Sequence, residues 1–111
     1  MGKKETEAVG PVQLASGKKD SRVTLGAVLD IRAAAPLRDV LQKAVKRGKP
    51  ILIDAGQVAR LSTPCVQVLL AAGKDGGAVA PLTLVQTSDA FVSAFSDLGL
   101  FANLMSWKAE A

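Results

Sequence analysis

Residues 51–77, ILIDAGQVARLSTPCVQVLLAAGKDGG, decide the fold. Ile51-Leu52-Ile53 is a continuous apolar run stopped by Asp54. Such a run suits a strand buried on both faces, in a sheet covered by helices. Val58 and Leu61 follow in a connection expected to fold back onto the core. Thr63-Pro64 then opens a helix from Cys65 to about Lys74. Proline is tolerated at a first helical position, where its missing N–H would lack a partner anyway. The residue before a proline is pushed away from helical dihedrals, as a cap requires, so Thr63 reads as the N-cap. Cys65, Val66, Val68, Leu69, Leu70, Ala71 and Ala72 make this helix unusually apolar, with Gln67 the only polar side chain before Lys74. One apolar stripe would suffice to lay a helix on a sheet, so the excess implies burial on more than one side or a partner surface. Asp75-Gly76-Gly77 forms the turn that ends it.

Upstream, Arg22-Val23-Thr24-Leu25 alternates with the period of a half-buried strand. Gly26 and Leu29-Asp30 lead into a helix within Ala33–Arg47, where Leu37, Val40, Leu41, Ala44 and Val45 share one face. Gly48 ends that helix and Pro50 forbids its continuation. Downstream, Leu82-Thr83-Leu84-Val85 is a strand. Ser88 caps a third helix whose Phe91, Ala94, Phe95 and Leu98 recur on one side, and Gly99 ends it. Leu100–Trp107 is expected to add a last short strand. Residues 1–21 read as a mobile arm with a short strand at Val12–Leu14, residues 22–107 as the folded domain, and 108–111 as a tail. Strands alternating with helices predict an α/β domain, a mainly parallel sheet covered by about three helices, with an antiparallel N-terminal strand compatible with it.

Composition narrows the chemistry. The chain has 111 residues, a formal charge of +4, 49% hydrophobic and 22% charged residues, the mixture of a single globular domain. Its longest charge-free stretches, Leu61–Gly73 and Gly76–Ser88, fall short of the roughly 18 residues a membrane span needs. No apolar run follows the N-terminal lysines, so no secretory signal is expected. A single cysteine, Cys65, forms no internal disulfide and fits a reducing cytoplasm. With neither His nor Tyr in the chain, imidazole catalysis and the commonest metal ligand are excluded. No glycine-rich phosphate-binding motif occurs. These absences point to a binding or regulatory module without catalytic residues, metal or cofactor. Met1-Gly2-Lys3-Lys4-Glu5-Thr6 also fits the short N-myristoylation pattern, a match common by chance.

From Leu25 to about Met105 these residues resemble the STAS domain, the family of anti-sigma factor antagonists and transporter-associated regulatory domains. The resemblance is carried by Leu25-Gly26 with Leu29-Asp30, Leu37, Ile51-Leu52-Ile53-Asp54, Val58 with Leu61, and Leu98-Gly99-Leu100-Phe101. It implies a STAS-like fold and a non-enzymatic module that docks a protein partner. The family's regulatory signature, D-S-S-G or D-T-x-G, falls on Ser62-Thr63-Pro64-Cys65, so Ser62 takes the Asp place and Thr63 the first hydroxyl place. Pro64 stands where a partner kinase phosphorylates serine in anti-sigma factor antagonists, and proline has no hydroxyl to modify.

The resemblance thus implies docking through the helix beginning at Pro64, with Ser62, Thr63, Pro64, Gln67 and Val68 meeting the partner. That partner would be a kinase-like anti-sigma factor or another bacterial signalling component, released by phosphorylation at Thr63, with Ser62 as the fallback acceptor. The alternative is a constitutive subunit bound to the ATPase of a phospholipid-transport ABC transporter, whose D-T-x-G signature also has threonine and no following serine. Thr63 has a plainer role as well, as a helix cap contributing about 1 kcal/mol. A phosphate there would meet unpaired N–H groups and bring about two negative charges. Cys65 reads as a small buried hydrophobe and Asp54 as a carboxylate that orders its loop. Arg38, Lys43, Lys46, Arg47 and Lys49 read as a solvated basic helix face, and the scarcity of aromatic residues argues against nucleic acid as the partner.

Overall fold

The computed structural model describes residues 5–77 and 80–107. The expected tail at 108–111 and the start of the Met1–Thr6 pattern lie outside the described residues. A five-stranded mixed sheet carries the domain. Its strands, β1 (Glu5–Val9), β2 (Val12–Ser16), β3 (Ser21–Leu25), β5 (Ile51–Ala55) and β7 (Leu82–Thr87), stand side by side in that order. The pairs β3–β5 and β5–β7 are parallel, whereas β1–β2 and β2–β3 are antiparallel. The short strands β4 (Val28–Leu29) and β6 (Arg60–Leu61) pair in parallel as a separate ribbon.

Register explains the core. Val12 lies opposite Leu25, Leu14 opposite Val23, Val23 opposite Ile53, and Ile53 opposite Leu84, which sets one apolar face across four strands. All six of these side chains are buried. On the other face Arg22, Thr24, Leu52 and Thr83 are only half-buried. The Ile51–Ile53 run is therefore covered on one side rather than two, a correction to the expectation drawn from its continuous apolarity. The helices lie against a single face, and Leu52 rests among polar neighbours on the open one.

The segment expected as a mobile arm with a short strand at Val12–Leu14 supplies both β1 and β2, and the expected strand lies within β2. Gly10 turns the chain between them at φ +59°, in the left-handed region that glycine tolerates. Val12 and Leu14 alternate with exposed Gln13, which is enough to seat β2 over the core. Gly26 donates its N–H to the Pro11 carbonyl at 2.7 Å, and a Cβ at Gly26 would meet that same oxygen. Arg47 donates to the carbonyl oxygens of Asp20 and Gly17 and to the Ser21 hydroxyl, and Lys49 donates to the Lys18 carbonyl. Two members of the basic set thus fasten the β2–β3 turn rather than standing free in solvent.

Asp30 caps a 3-10 turn at Ile31–Ala33, accepting from the Arg32 N–H, and that turn runs into α1 (Ala34–Arg47). The buried face of α1 is Leu37, Val40, Leu41 and Ala44, and Gly48 closes it at φ +68°. Next come α2 (Thr63–Gly76) and α3 (Asp89–Asp97). Residues 101–107, expected as part of a strand, form α4 (Phe101–Trp107). Helical spacing accounts for this: Leu100, Leu104 and Trp107 recur at i, i+4 and i+7, and Leu104 is fully buried. Leu98, expected in the core, is 43% exposed beyond the last turn of α3.

The apolarity of α2 has an internal cause. α1 packs along one flank, and on the other Trp107 presses so closely that a Cβ on Gly73 would lie 2.9 Å from its ring. Cys65, Val66, Leu69 and Ala72 are buried, while Thr63, Gln67, Ala71, Lys74 and Asp75 remain exposed. Of the two outcomes expected for this helix, burial on more than one side is present within the domain itself.

Candidate functional site

The junction of β6 and α2 is built by backbone hydrogen bonds. Ser62 donates its N–H to Leu29 O at 2.8 Å, continuing the β4–β6 pairing, and Val66 donates to Ser62 O at 3.1 Å. That second bond opens the helix, so Ser62 is the N-cap and Thr63 the first helical residue. This corrects the assignment of Thr63 as cap. The steric preference of a residue before proline is overridden by the bonds on both sides of Ser62, whose own dihedrals are extended at φ −76° and ψ 158°. The Ser62 hydroxyl makes no capping bond and is buried without a hydrogen-bond partner among the described residues.

Thr63 stands exposed at the first position of α2. Pro64 and Val68 are half-buried beside it, and Gln67 is exposed one turn further on. The five residues expected to meet a partner therefore lie together on one corner, with the Ser62 hydroxyl turned inward. Cys65 is buried, and its thiol donates to Asp30 O at 3.5 Å. Burial pushes this thiol up, and the nearby Asp30 carboxylate adds to the rise, while Ser62 beside it partly offsets both. The Arg32 side chain, hydrogen-bonded to Asp30 and 3.1 Å from its carboxylate, holds that carboxyl below the usual range. Asp54 accepts from Gly56 N–H at 3.0 Å, the loop-ordering role expected of it. Among the described residues, no three His, Cys, Asp or Glu side chains cluster as a metal site, and no helix is long and apolar enough to cross a membrane.

Two features of the corner were missed by sequence reasoning. Val28 is 50% exposed and Ile31 69% exposed, and both belong to the segment hydrogen-bonded to Ser62 and Cys65. Neither sits in a periodic pattern, so only the β4–β6 pairing reveals that their segment runs beside Ser62 and Cys65. The second is a groove of about 570 Å³ between α1 and α2, in which Pro64, Gln67 and Val68 face Arg38, Leu41 and Val45. Its α1 wall could be found in the sequence only by knowing that the two helices lie side by side.

A mixed sheet with helices packed on one face, and an exposed hydroxyl on the first turn of α2, define the architecture around this corner. The model of the family described as "Mlab, STAS domain" matches residues 12–106, and the chain belongs to that family. The match takes in β2, ahead of the domain start expected at residue 22. Among solved structures, the anti-sigma factor antagonist SpoIIAA in its unphosphorylated form matches 98% of this chain and 88% of its own, with a TM-score of 0.67 and 19% identity. At that identity the likeness is one of fold. A comparison with curated proteins finds no match.

Proposed function

We propose that this protein is a non-enzymatic, anti-sigma factor antagonist-like module acting in the cytoplasm, which regulates by docking a protein partner on the corner formed by Ser62, Thr63, Pro64, Gln67 and Val68. The observation that carries the reading is Thr63 exposed on the first turn of α2, bordered by a segment that presents Val28 and Ile31 to solvent. Exposed apolar side chains next to an unmodified hydroxyl offer a surface whose affinity a phosphate can change. Phosphorylation at Thr63 places about two negative charges on that surface and repels an apolar or acidic partner. Thr63 is the acceptor in preference to Ser62, whose hydroxyl is shielded.

A second reading is a constitutive subunit held by the ATPase of a phospholipid-transport ABC transporter. Pro64 supports it, because the position that carries the switch hydroxyl in antagonists by resemblance has none here. One experiment separates the readings. The full chain, Thr63→Ala and Thr63→Glu are used as bait, captured proteins are identified by mass spectrometry, and phosphate is mapped on the bait. The switch reading expects Thr63→Ala to retain the partner and Thr63→Glu to lose at least about tenfold in affinity. An ATPase subunit held equally by all three chains establishes the constitutive reading instead. A partner whose footprint excludes residues 62–68 overturns both.

A further inference from the structure

We infer that the groove between α1 and α2 receives an amphipathic helix of the partner, which lays an apolar stripe on the groove floor and sets a carboxylate side chain beside Arg38. The inference rests on the docking reading and names the chemistry of the segment that docks.

Shape selects the occupant. Leu41 and Val45 of α1 and Val68 and Ala72 of α2 make an apolar floor. The wall from Ala34 to Lys46 is about 18 Å long at the helical rise of ~1.5 Å per residue, the length of three turns of a docked helix. A small amphiphile is held in a cleft that covers about 70–90% of its surface. A trough between two helices covers one stripe, which is what an amphipathic helix needs hidden.

Charge selects the partner's sign and orientation. Both α1 and α2 cross over between parallel strands, so they run in the same direction and their first turns share one end of the groove. At that end Arg38 is exposed and has no ion-pair partner among the described residues, and no acidic side chain lines the groove there. At the far end Lys46 and Asp75 both line the groove, and their charges offset. The positive ends of two helix dipoles add to Arg38. A docked helix is therefore held with Asp or Glu at the Thr63 end and a neutral or mixed pair at the Asp75 end. A phosphate on Thr63 would bring negative charge to the end that the carboxylate occupies, which couples the groove to the proposed switch.

The test titrates the isotope-labelled full chain with two synthetic helical peptides of about fourteen residues. Both carry the same leucine stripe, and one has glutamates and the other lysines along its flanks. The glutamate peptide is expected to shift the backbone amides of residues 38–46 and 64–75 and to bind about tenfold more tightly than the lysine peptide. Arg38→Glu should reverse that preference, Lys46→Glu should change it less, and Ala71→Trp should block both peptides. These positions are exposed, and circular dichroism of each variant verifies that the fold is kept. Equal binding of the two peptides, shifts outside the groove, or no binding of the glutamate peptide at millimolar concentration overturns the inference. Tighter occupation of the same amides by dodecanoate, or a dimer in sedimentation that Ala71→Trp dissolves, overturns it in favour of an amphiphile or a second copy. If the groove fails while Thr63→Glu still releases the captured partner, corner docking stands. If Arg38→Glu releases the partner and Thr63→Glu does not, the groove stands and the switch falls.

Discussion

Two helices of this domain begin on serine, and the two serines do different things. Ser88 and Ser62 have nearly the same extended backbone, φ −86° and ψ 165° against φ −76° and ψ 158°. Ser88 accepts from Phe91 N–H at 3.1 Å and donates its own hydroxyl proton to Val58 O, so both functions of the hydroxyl are used. The Ser62 hydroxyl is buried with neither bond among the described residues. The first turn of α3 is closed by its own cap. That of α2 relies on Pro64, which removes a donor, and on the Leu29 carbonyl. Cap-like dihedrals therefore do not make a side-chain capping bond, and of these two helices the one without that bond is the helix that opens the proposed docking corner.

Packing dominates the capped turn. Phe91, at the third position of α3 and fully buried against Phe95 at 5.0 Å between ring centroids, should lose about 3–5 kcal/mol on Phe91→Ala in urea denaturation. Ser88→Ala comes next, with about 1–2 kcal/mol for the lost cap and the orphaned Phe91 N–H. A loss as small as that of an ordinary surface change would show that the cap contributes nothing here. A smaller effect is expected at Cys65 and only at alkaline pH. Its raised thiol pKa means the folded state holds the proton more tightly, so this contribution is complete at neutral pH and is lost as pH climbs above about 9. The difference in stability between the native chain and Cys65→Ala should be flat up to that point and then fall. Least of all should change in Ser62→Ala, within about 0.5 kcal/mol and with a gain allowed, because no bond is broken. A cost above about 1 kcal/mol would mean that Ser62 caps after all and would erase the contrast with Ser88.

The parallel half of the fold was legible in local patterns. Val23, Leu37 and Phe95 all lie in the core positions their periodicity assigns. Of the antiparallel half, only the short strand expected at Val12–Leu14 was legible, as part of β2, because two buried residues around Gln13 make too short a period to reveal its full length or its pairing with β1. α4 was hidden for a related reason, since its inward positions span little more than two turns. The Ile51–Ile53 run misled because a strand internal to the sheet order need not be covered on both faces. At the candidate site, Thr63, Pro64 and Gln67 were proposed from the resemblance of residues 62–65 to the family signature, together with the helix that Pro64 opens. Val28, Ile31 and Arg38 reach the same region through the β4–β6 ribbon and the packing of α1 on α2, long-range contacts that leave no local mark.

The chain holds a single tryptophan, and Trp107 rests against Gly73 on the back of α2 with its ring edge-on to Phe95 at 5.8 Å. The protein therefore carries its own optical sensor on the helix proposed to receive the partner. Emission from that indole reads any tilt or loosening of α2 without a dye, and quenching measures it on the protein as it stands.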